Sequence, residues 1–99
     1  MKESALAVFV RFKSHLSFDE VMEVAEDRID QFRALDGLRQ KYYIHDEATD
    51  EVGGVYIWDS REAFDAYRDS ELRASIAAAY QVVGEPRVTV YRIAEVLRG

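Results

Sequence analysis

Ninety-nine residues, 48% of them hydrophobic, are enough for one domain with a real core and leave no room for a second, so residues 1–99 read as a single unit. Nineteen acidic residues against thirteen basic ones give a formal net charge of -6, and the lack of any compact Lys/Arg cluster argues against nucleic-acid binding. With no cysteine there is no disulfide, thiolate nucleophile or cysteine metal site, and no run approaches a membrane span or a signal peptide, so a soluble cytoplasmic protein is the expectation.

The chain opens with the short apolar run Ala5 to Phe12, rich in β-branched and aromatic residues, which predicts a buried strand. Ser17, three residues before Glu20, forms a capping-box pattern. Phe18, Met22, Ala25, Ile29 and Phe32 follow at spacings of three and four with acidic residues between them, which predicts an amphipathic helix ending near Leu35 and stopped at Gly37. Leu38 to Asp46 and Val52 to Trp58 read as an antiparallel hairpin. Ser60 then caps a second helical region, with a break near Asp69 and Ser70, and Pro86 introduces a last strand. The order β-α-β-β-α-β is that of an α+β, ferredoxin-like domain, with a four-stranded antiparallel sheet and both helices on one face. The other apolar face needs a cover, which predicts a homodimer packed through its sheet faces.

With a turn centred on Thr49 and Asp50, Tyr43 is expected opposite Tyr56, His45 opposite Gly54 and Lys41 opposite Trp58. Lys41, Tyr43, His45, Tyr56 and Trp58 then share one face, and Tyr42, Ile44, Val55 and Ile57 the other. A face that mixes large rings with polar tips has the character of a small-molecule cavity. Tyr43, Tyr56 and Trp58 are therefore candidate ligand contacts, and Tyr67, three residues after Phe64 on the second helix, is a fourth. His45 is the candidate catalytic acid or base, because an imidazole exchanges protons near neutral pH. The two histidines have no metal-ligand spacing, so no metal site is expected.

The pattern Gly37-Leu38, Lys41-Tyr42-Tyr43, Gly53 to Trp58, Ser60 and Glu85-Pro86 resembles the YdhR-like monooxygenases and, more distantly, the antibiotic-biosynthesis monooxygenases of the dimeric α+β barrel superfamily. The resemblance implies two subunits whose sheets pack into a barrel, with a cavity between each sheet and its helices. It also implies oxidation of a small aromatic or polycyclic phenolic compound by O2 without metal, flavin or haem, and Trp58 matches a pocket tryptophan of the quinone-forming members. Two positions depart from those members: Gly54 stands where they carry asparagine, and Phe64 where they carry tyrosine. The haem-degrading members' histidine has no counterpart in "ASIAAAY". The alternatives are a non-catalytic, stress-associated or ligand-binding dimer that uses the same cavity, and another cofactor-free reaction such as isomerisation or decarboxylation.

Overall fold

Residues 5–98 are described by a computed structural model. Strand β1 (Leu6–Ser14) alternates buried Leu6, Val8 and Phe12 with outward Ala7, Phe9 and Arg11, so its even positions carry the core. Helix α1 (Phe18–Arg33) starts at the predicted capping box: the Glu20 amide donates to Ser17 Oγ at 3.2 Å and the Ser17 amide to Glu20 Oε1 at 2.9 Å. Its buried side is Val21, Ala25 and Phe32, while the acidic residues face water. Phe18, expected on the buried stripe, is 37% exposed, because it lies in the first turn at the rim of the sheet.

Strands β2 (Leu38–Asp46) and β3 (Glu51–Trp58) form the hairpin, but in a register two residues from the expected one. Lys41 lies opposite Tyr56, Tyr43 opposite Gly54 and His45 opposite Val52. The turn sets this register. Asp46 Oδ1 accepts the Ala48 amide at 3.0 Å, and the Asp50 amide, with φ at +62°, returns to the Asp46 carbonyl at 2.7 Å, which moves the turn centre back by one residue. Side chains alternate with period two, so a slip of two leaves every one on its expected face.

The second helical region divides into α2 (Arg61–Arg68), α3 (Glu71–Ala74) and α4 (Ile76–Ala79). Ser60 Oγ accepts the Ala63 amide and Ser70 Oγ the Arg73 amide, so each serine starts a new helix and the break falls at Asp69 as expected. Strand β4 (Val82–Arg92) begins four residues before Pro86, not after it. Arg11 pairs with Arg87 but Lys13 with Val83, so Gly84, Glu85 and Pro86 bulge opposite Phe12. Gly84, with φ at +70°, supplies the left-handed step, and Pro86 loses no ladder bond because β4 is an edge strand.

The strand order is β2-β3-β1-β4, all pairs antiparallel, which is the ferredoxin-like arrangement. The helices cover one face. On the other, Phe9, Tyr42 and Tyr91 are 38%, 56% and 56% exposed beside half-buried Ile44, Val55 and Ile57. No helix among the described residues is long and apolar enough to cross a membrane.

Candidate active site

Between the sheet and the helices lies a narrow cavity, floored by β1, β2 and β3 and roofed by α1, α2 and the α3–α4 segment. Alternation along β2 and β3 aims Lys41, Tyr43 and Tyr56 into it from below, and Tyr67 enters from α2. Trp58 is fully buried one step further along β3, in the wall of an adjoining cavity that shares Tyr56, Tyr67 and Arg73. The rings are continuous. Tyr67 lies 5.7 Å from Tyr56 and 5.2 Å from Trp58 between centroids, and Phe32 of α1 lies 6.3 Å from Tyr56.

Four of the five residues singled out from the sequence thus converge, and one does not. His45 shares their strand face but sits at the turn end, outside the cavity wall. Its ring stacks on Phe18 at 4.2 Å, and its Nε2 is 2.8 Å from Asp50 Oδ1. The expectation that His45 looks into the cavity is corrected by where α1 begins, since its first residue, Phe18, stacks on the imidazole at the end of the hairpin.

Lys41 is the residue whose importance the sequence reading missed. Its Nζ stands 3.4 Å above the centroid of Phe32, with the Tyr43 and Tyr56 rings at 4.5 and 4.7 Å. It forms no ion pair among the described residues. Burial pushes its ammonium down to about 7, and the positive charge of Arg28 acts in the same direction. Gly54 makes the position possible. A methyl group there would meet Tyr56 Cε1 at 3.1 Å, the Tyr42 carbonyl oxygen at 3.3 Å and Lys41 Cε at 3.4 Å, so the bare backbone leaves the lane along which the lysine lies. A lysine two residues from an inward tyrosine, beside a strand glycine, was the available sequence signal.

The polar side chains of this region are hydroxyls, an indole and cations. Burial raises the Tyr43, Tyr56 and Tyr67 hydroxyls above the ordinary tyrosine range and Tyr80 to about 12, so all four stay protonated at neutral pH. The Tyr67 hydroxyl and Trp58 Nε1 are buried with no hydrogen-bond partner. Arg73 adds a guanidinium, and no carboxylate lines either cavity. Hydroxyl, indole and cationic groups without a carboxylate, set among rings, suit an oxygen-rich or anionic aromatic molecule. Among the described residues, no three His, Asp or Glu side chains gather as metal ligands.

The fold recurs in solved structures. Rv0793 from Mycobacterium tuberculosis is similar at 22% identity, covering 96% of this chain and 100% of that one, with a TM-score of 0.76. SnoaB from Streptomyces nogalater, described as a cofactor-independent oxygenase, shares 14% identity over 97% of this chain and 99% of its own, with a TM-score of 0.76. A dimeric ferredoxin-like protein of unknown function from Thermobifida fusca shares 16% identity over 92% of each chain, with a TM-score of 0.71. A comparison with curated proteins finds no match. A family model described as "Putative mono-oxygenase ydhR" matches residues 7–97, nearly the whole domain, and the chain belongs to that family.

Proposed function

We propose that the protein is a cofactor-independent monooxygenase that oxidises a small phenolic or enolisable aromatic compound with O2. The observation that carries this reading is the carboxylate-free, ring-walled cavity, with Tyr43, Tyr56 and Tyr67 around it and Trp58 behind. A phenol or enol must lose a proton before its carbon reacts with O2, and a cavity rich in donors and free of carboxylates stabilises that anion. The enclosing rings hold the substrate flat and keep water from the reacting carbon. With an anthrone, one oxygen atom enters the ring carbon as a carbonyl and the other leaves as water.

The working unit in this proposal is a homodimer. Phe9, Tyr42, Ile44, Val55 and Tyr91 leave an apolar sheet face uncovered, and the Thermobifida fusca neighbour is described as dimeric. Family membership and the likeness to SnoaB support the chemistry.

The test is oxygen consumption with anthrones and hydroquinones, without added metal or flavin. The expected result is uptake that saturates with substrate and falls at least tenfold in Tyr67→Phe, which removes a buried hydroxyl and keeps the ring. Saturable binding of these compounds without oxygen uptake would overturn the oxygenase reading and leave a ligand-binding protein.

A further inference from the structure

The amine of Lys41 stands among three ring faces, with its stem lying along the lane that Gly54 leaves open. With Tyr43, it lines both the cavity under the helices and a recess that opens outward beside Arg33 and Arg39, so the two side chains partition the ligand space from solvent. We propose that Lys41 is the catalytic base of this site: its neutral amine takes the proton from a phenolic or enolic hydroxyl in the cavity, and the ammonium so formed then holds the oxyanion. This inference rests on the reading that the cavity takes such a substrate.

The step balances without a co-reactant. The substrate O–H bond breaks and a new N–H bond forms on Nζ, so a neutral pair becomes an ion pair. Both states have a physical reason to exist. Burial favours the neutral amine before the ligand arrives. Afterwards the oxyanion gives the ammonium the partner it lacks, in addition to the faces of Phe32, Tyr43 and Tyr56 that surround it in either state.

The surroundings leave no nearer rival for the proton. From α1 come Arg28 and Arg33, from β2 Arg39 and Tyr43, from β3 Tyr56, from α2 Tyr67, from α3 Arg73, and after α4 Tyr80. The arginines carry charge but do not exchange protons near neutrality, and the buried tyrosines hold theirs well above it. Lys41 alone in this set works as a proton acceptor near pH 7.

The probe is 4-nitrophenol, whose anion absorbs visible light, bound to the whole protein and followed across pH. Wild type is expected to bind it as the phenolate at a proton concentration at least tenfold higher than the free probe needs. Lys41→Met should abolish that displacement and weaken phenolate binding at least tenfold. Lys41→Arg should still bind phenolate but lose oxygen uptake with protonated substrates, since a guanidinium holds the anion without accepting the proton. Circular dichroism on each variant confirms the fold, and His15→Ala, an exposed loop residue, serves as control. Unchanged phenolate binding in a folded Lys41→Met, or oxygen uptake equal to wild type in that variant, would overturn the role of Lys41 and leave the oxygenase reading standing. A Lys41-dependent phenolate signal with no oxygen uptake from any substrate supports the Lys41 site and overturns the oxygenase reading instead.

Discussion

The two faces of the sheet are built from the same strands by the same alternation, yet they differ in kind. The helix side holds Trp58 and Tyr56 fully enclosed and a lysine among rings, while the open side shows water a surface of Phe9, Tyr42 and Tyr91. On the open side Arg87 reaches across β1 to Glu51 and holds that carboxyl below the usual range. On the helix side Trp58 Nε1 and the Tyr67 hydroxyl are buried without a hydrogen bond. A face whose polar groups are satisfied and whose apolar groups are exposed suits association, and a face with the reverse pattern suits a ligand.

The largest effect that can break this contrast is expected from Trp58→Ala. Removing a fully buried indole should lower stability by about 3–5 kcal/mol in chemical denaturation. Survival of the variant with a change under about 1 kcal/mol would mean that the helix side is not the core.

Lys41→Met should move stability the other way, by roughly 2 to 4 kcal/mol near pH 6. The folded protein depresses this ammonium from 10.5 to about 7, so between those values the unfolded chain binds more protons and wild-type stability rises with pH. The destabilisation from burying the charge is full below about 7 and gone above 10.5, so the gain from methionine should fade across that window. Denaturation midpoints at pH 6 and pH 10 decide the matter, and an equal gain at both would place the lysine in water.

On the open face, Tyr42→Glu combined with Tyr91→Glu should raise the dimer dissociation constant at least tenfold, read by light scattering, without changing the fold of the subunit. An unchanged molecular mass at micromolar concentration would move the interface elsewhere. The smallest effect belongs to His45→Ala. Its ring is held by Phe18 and Asp50 outside the cavity, so oxygen uptake should stay within about twofold and stability should fall by no more than about 1 kcal/mol, the size of one stacked pair. A tenfold loss of uptake would bring the turn back into the site.

Most of the fold was legible because it rests on local rules. The capping box at Ser17, the serines that divide the second helical region, and the period-two alternation of the hairpin all depend on neighbours within a few residues. Alternation even survived a misjudged register, because the slip was even. The start of β4 was not legible, since Val82 to Gly84 join the sheet only through a bulge opposite Phe12. Nor was the place of His45, which depends on where α1 begins relative to the turn.

The sequence by itself determined the order of elements, the two faces of the sheet, and the gathering of Tyr43, Tyr56 and Trp58 on one of them, because these follow from spacing along the chain. Only the tertiary structure placed the Lys41 amine inside the cavity and His45 outside its wall. That outcome needs Phe32 from α1 above the amine and the missing side chain of Gly54 from β3 beside its stem. A proton affinity is a property of surroundings supplied by distant parts of the chain, so no local pattern around Lys41 contains it.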